Sequence, residues 1–173
     1  MDGVPDPESH EVEDERSIRW LADYVYGTIS TLIAVAGLTF ETNPGALTTA
    51  GVVVVGAVAI WLAHTLSLLV ISRSWNQLTL RRSDVRAELL GSWSIVAAAI
   101  PATITFILAG LNVWKVSTAF VVTDVVGVLA LAAVGTGTAG GRTGPRSRRI
   151  LYVVGLVSVG VMIVLLESAV HLL

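Results

Sequence analysis

The chain has 173 residues, 54% of them hydrophobic and only 14% charged, with a formal net charge of −2 and no cysteine. The charges are clustered: seven of the thirteen acids fall in the first fifteen residues, and ten of the eleven bases are arginines in three short groups. A soluble globular enzyme, a disordered chain and a disulfide scaffold are thereby excluded, and with them any thiolate metal site or Cys nucleophile.

Residues 1–17 are acidic, carry Pro5 and Pro7 and contain little that is apolar. Such a segment buries too little surface to offset its ordering entropy, so a disordered acidic cytoplasmic tail is expected. It lacks the basic and then apolar order of a signal peptide, so the first span is expected to stay in the mature protein.

A five-helix transmembrane domain is expected over 18–173, with spans at about 18–40, 46–72, 87–111, 114–136 and 150–172. Each is long enough to cross ~30 Å of hydrocarbon at 1.5 Å per residue. Helix is the expected form, because lipid offers no partner to a peptide group and the alternation of a β-barrel is missing. The fold class is therefore all-α, a polytopic bundle. Pro44 and Gly45 break the chain between the first two spans, a tight turn near Gly110 and Asn112 separates the third from the fourth, and Pro101 is expected to kink the third.

With five spans, all ten arginines lie on one side and Lys115 alone on the other. The positive-inside bias then puts the N-terminus in the cytoplasm and the C-terminus outside, in the plasma membrane of a bacterium. Arg81, Arg82, Arg142, Arg146, Arg148 and Arg149 are candidates for binding anionic lipid headgroups, at about 1 kcal/mol per residue.

Small and polar residues recur along one face of the first span: Asp23, Gly27, Ser30, Ala34, Gly37 and Glu41. Gly27, Ser30, Ala34 and Gly37 form a seam that lets another helix approach closely. Glu88, Ser92, Ala99, Thr103 and Gly110 make a similar row in the third span, and Gly155, Ser158 and Met162 in the fifth. These rows are expected to face inward.

Ionisable groups within the membrane cost roughly 2.5–3.5 kcal/mol each on insertion scales. Asp124 lies near the middle of the fourth span; His64 and Asp23 fall about 6 and 10 Å to the cytoplasmic side of their span centres. Two carboxylates and a histidine in the inner half of the bilayer suit a proton or cation relay; a polar cluster that only fixes helix register suits them too. Glu167 and His171, four residues apart, are a weak candidate pair for a divalent cation, and both equally suit the headgroup layer.

Residues 135–140 match a dinucleotide fingerprint but follow a membrane helix, which makes them a loop. There is no mid-membrane lysine for retinal, no HExxH, no G-x-S-x-G and no potassium-filter sequence. No enzyme activity, cofactor or nucleic-acid partner is expected. The bilayer, further copies of the chain and a possible protein partner are the expected associates.

Val25-Tyr26-Gly27-Thr28-Ile29, Trp61-Leu62-Ala63-His64, and Trp93 followed by Pro101 resemble a group of small uncharacterised multi-pass membrane proteins of high-GC actinobacteria, a resemblance that implies no activity. Val25-Tyr26-Gly27 followed by Ala34-Val35-Ala36-Gly37-Leu38 is also similar to the first span of the vacuolar iron transporter family. That resemblance implies a dimeric, proton-coupled exporter of divalent metal with five spans. Thr28 and Ile29 stand where that family has an acidic residue, and the loop between spans 2 and 3 is short, so no metal ligand is carried over. The expected function is a small transporter or channel for protons or small cations, with Asp124, His64 and Asp23 along one path. The alternative is a non-catalytic accessory or scaffold subunit of a membrane complex.

Overall fold

The structure, a computed structural model, describes the backbone over residues 7–41, 44–76, 82–138 and 146–170, and side chains over 16–41, 44–71, 85–136, 150–151 and 153–165. Among the described residues all regular structure is helical. The elements are α1 (Pro7–Leu38), α2 (Ala46–Asn76), α3 (Arg82–Gly91), α4 (Ser94–Ala98), α5 (Ile100–Gly110), α6 (Val116–Thr138) and α7 (Arg146–Val170). Three stretches are long and apolar enough to cross a membrane: Arg16–Leu38, Ala46–Ile71 and Val116–Thr136. A fourth crossing is made if the bent chain from Val85 to Gly110 counts as one, and the apolar part of α7, Val153–Leu165, is shorter than a crossing.

The N-terminal segment departs from expectation, since α1 begins at Pro7 and residues 7–17 are helical. Glutamates at 8, 11, 13 and 15 are good helix formers, and proline suits a first helical position. The span that follows supplies the nucleus, so extending the helix backwards costs little. Residues 1–6 lie outside the described residues.

The third hydrophobic stretch is interrupted twice. At Ser92–Trp93 the helix breaks, and the Ser92 hydroxyl donates back to the Glu88 carbonyl at 3.1 Å. At Ala99 it turns again just ahead of Pro101, which has no N–H and whose ring crowds the preceding turn; the two halves are bent by 44°. The expected kink is thus present, with a second break one and a half turns before it.

Between α5 and α6, Asn112 holds a left-handed backbone with φ 59°. Its N–H reaches the Ala109 carbonyl and that of Val113 the Leu108 carbonyl, both at 3.0 Å, which closes the end of α5 as a Schellman turn. Asparagine is one of the few side chains that tolerate this conformation.

Helix α1 packs against α4, α6, α2 and α7, while α5 packs between α2 and α6, and α6 also carries α7. One core, with Val35, Val53, Ala57, Ala102, Phe106 and Phe120, joins α1, α2, α5 and α6. Phe106 is fully buried and meets Phe120 edge to face, with centroids 4.9 Å apart. A second, with Leu32, Ala36, Leu131 and Ile163, joins α1, α6 and α7.

Only the inner part of the expected α1 seam is a contact. A Cβ on Gly27 would stand 2.6 Å from the Ile95 carbonyl oxygen and 2.8 Å from its Cα. Ser30 and Ala34 are half-buried, Gly37 is exposed, and a Cβ there would meet nothing within 4 Å. The buried stripe moves round α1 to Thr31, Leu32, Val35 and Ala36, because α4 and α2 flank its first half and α2, α6 and α7 the half toward Leu38.

The expected α7 row is also corrected. Gly155, Ser158 and Met162 are exposed, and α7 instead meets α6 through Val153, Gly160 and Ile163. Small residues stand on both faces of this helix, and Gly160 is the one against α6: a Cβ there would stand 3.2 Å from Val128 and Leu131, while one on Gly155 would meet nothing within 4 Å.

Substituting Gly27→Ala should cost about 1–3 kcal/mol by overpacking, whereas Gly37→Ala should be neutral or slightly stabilising. Thermal unfolding in detergent distinguishes them, and equal effects would contradict the close contact. In the same assay Asn112→Val should cost about 1–2 kcal/mol and Asn112→Gly much less.

Candidate functional site

Asp23 and His64 are brought together. Asp23 projects from α1 and His64 from α2, with Nε2 of the imidazole 3.3 Å from Oδ1 of the carboxylate. The Asp23 side chain is 9% exposed and that of His64 27%. The Tyr26 ring lies against the imidazole, centroids 5.7 Å apart. Pairing with a histidine lowers the cost of holding a carboxylate at this depth, and a neutral imidazole donating N–H and a charged imidazolium both satisfy the contact.

The other carboxylate oxygen, Oδ2, is buried with no hydrogen-bond partner among the described residues, and so is the hydroxyl of the fully buried Ser94. Such orphaned atoms are uncommon, since each forfeits about 1–3 kcal/mol. Both belong to the region where the third span is broken. Ser94 begins α4, and Ile95 beside it is the residue that Gly27 meets, one turn outward of Asp23. The Trp61 indole donates to the Leu89 carbonyl at 3.3 Å and packs edge to face on Trp93, which covers the break from the α2 side.

One turn inward of Asp23, Arg19 pairs with Glu88 and ties α1 to α3. Trp20 stacks on Tyr24 at 5.4 Å on the same stretch of α1. The Arg19 side chain is half exposed, so this pair contributes little to stability. It places a positive and a negative group one turn from Asp23 toward the start of α1.

Asp124 stands apart from the pair. Gly127 of α6 abuts Leu32 of α1. From that level Asp124 is three residues toward the Leu38 end of α1 and Asp23 nine residues toward its Arg19 end, so the two carboxylates are separated by roughly 18 Å along the helices. Asp124 is half-buried and has an interaction of its own. The three groups singled out from the sequence therefore form one pair and one separate acid rather than a single cluster.

Between those depths lies a small, partly open cavity of ≈ 20 Å³, lined by residues of α1, α4, α5 and α6. Tyr24, Thr28, Thr31, Pro101, Thr123 and Gly127 contribute to its wall. The Thr28 hydroxyl donates to the Tyr24 carbonyl at 2.9 Å; the Thr105 hydroxyl donates to the Ala102 carbonyl at 2.7 Å and accepts from that of Thr123 at 2.6 Å.

Ser94, Tyr26, Thr105 and Thr123 were not picked out from sequence. The pattern Gly91-Ser92-Trp93-Ser94 inside an apolar stretch, and Thr123 beside Asp124, were the available signals. Of the headgroup candidates, Arg81 and Arg142 lie outside the described residues, as do the side chains of Arg82, Arg146, Arg148 and Arg149. The Glu167 side chain and His171 lie outside them too, and among the described residues no three or more His, Cys, Asp or Glu side chains gather as a metal site. Comparison with protein families, with curated proteins and with solved structures gives no significant match.

His64→Ala leaves the buried carboxylate without its partner and should cost about 1–3 kcal/mol. Adding Asp23→Asn should recover part of that loss, which a double-mutant cycle on thermal unfolding reads directly. Additive effects would mean that the two side chains do not interact.

Proposed function

We propose that the protein is a small membrane transporter or channel for protons or small cations, with the Asp23–His64 pair as its ion-handling group. The supporting observation is the buried Asp23 carboxylate, paired on one oxygen, unpartnered on the other, and set beside a broken membrane helix. Titratable groups at such depth are expensive, and irregular backbone at membrane depth is tolerated where it is covered by protein or lines a cavity. In this reading α7 is the fifth crossing, the arginine-rich ends face the cytoplasm of a bacterial cell, and the protein works as a homo-oligomer. Asp124 then serves the outer half of the route and Arg19–Glu88 its inner mouth.

The exposed Gly155, Ser158 and Met162 face of α7, bordering an open groove with Val154 and Leu165, favours a second reading as an accessory subunit. Co-purification of a stoichiometric protein partner is its signature.

The full chain in liposomes, under an imposed potential, should pass protons or a small monovalent cation. Asp23→Asn should bring that flux to the level of empty vesicles. Flux in Asp23→Asn equal to the parent would remove the pair from transport.

A further inference from the structure

We propose that the species carried is the proton, and that it travels between the Asp23–His64 pair and Asp124 through the threonine hydroxyls and a single water of the central cavity. This rests on the transport reading above and names its substrate.

The first support is position. On α1 the cavity wall runs from Tyr24 to Leu32, which is the stretch between the depth of Asp23 and that of Asp124. The second is size. A volume of ≈ 20 Å³ has the room of one water molecule, and a metal ion with its hydration shell is several waters across. The third is chemistry. No carboxylate, imidazole or other charged group stands in the cavity wall, so a bare cation there would meet no counter-charge. The wall does carry hydroxyl-bearing residues, Tyr24, Thr28, Thr31 and Thr123.

A hydroxyl is both donor and acceptor, so it accepts a proton on one side while releasing its own on the other. Each hop forms one O–H bond and breaks the next, and when the hydroxyls turn back the wall is unchanged. The net event is one proton moved, with no heavy charged atom displaced. At rest Thr105 donates to the Ala102 carbonyl and accepts from Thr123, so a proton passes from Thr105 to Thr123 only when the Thr105 hydroxyl turns away from that carbonyl.

The inner end of this route is defined by the groups around Asp23. His64 faces it from α2, Arg19 lies one turn away on α1, and Glu88 of α3 is held by Arg19. The unpartnered Oδ2 is the atom on which a proton can rest without breaking an existing bond. The Ser94 hydroxyl, equally unpartnered on α4, adds a second acceptor on the third-span side.

The test compares proton entry, read by a pH dye inside liposomes, with entry of radioactive sodium and rubidium, for the full-length parent and four variants. The parent should pass protons and neither metal ion. Thr31→Val and Thr123→Val, which keep shape and lose the hydroxyl, should slow proton entry roughly tenfold or more, while Thr123→Ser should retain it. Asp23→Asn should abolish it. Parent-like proton entry in both valine variants overturns the hydroxyl route. Sodium or rubidium entry at the proton rate, lost in Asp23→Asn, overturns the inference and leaves the transport reading standing. Absence of all three fluxes in the parent overturns both. Matched unfolding temperatures of Thr123→Val and Thr123→Ser exclude misfolding as the cause of a lost flux.

Discussion

Hydrocarbon offers a peptide group nothing to bond with, and the third hydrophobic stretch of this chain breaks its helix twice. At the first break the Trp61 indole of α2 takes the Leu89 carbonyl at 3.3 Å and so ties α2 to α3 there. The Ser92 and Thr103 hydroxyls add second hydrogen bonds to the Glu88 and Ala99 carbonyls, which the Ser92 and Thr103 N–H groups already bond. Trp114, beyond the next turn, donates to the Thr105 carbonyl at 3.0 Å.

A bundle made of small residues packs by close backbone approach, since burial against lipid gains no hydrophobic free energy. Gly27 against the backbone of Ile95, Gly110 against Leu47 and Gly127 against Leu32 are the tightest expressions of this. Asp23 lies one turn inward of Gly27, and the threonine-walled cavity begins at the level of Tyr24 and extends outward beyond it. The close contacts at Gly27 and at Gly127–Leu32 fall within the same length of α1 as the cavity.

Much of the architecture was legible in the sequence because apolar runs of membrane length admit one kind of secondary structure. The turn at Asn112 and the kink at Pro101 were legible for the same local reason, a residue type with restricted backbone. Helix rotation was not. The α1 seam was read as one face, yet its outer half points away from the core because α2, α6 and α7 gather on another side. On α7 small residues occur on two faces, and composition gave no ground for choosing Gly160 over Gly155. Asp23 and His64 were recognised as costly at their depth, and whether they would meet depended on two helices turning toward each other. Asp124 shows the converse: titratable character was visible, while its separation from the pair follows from where α6 crosses α1.

The contact at Gly27 has a mechanical side. It fixes α1 to the backbone of α4 about a dozen ångströms from Arg19 and somewhat further from Leu38, by helix rise. The rod is held a second time at Leu32, where Gly127 of α6 abuts it, so α1 is clamped at two levels and the stretch between them, from Thr28 to Thr31, is the part least free to tilt.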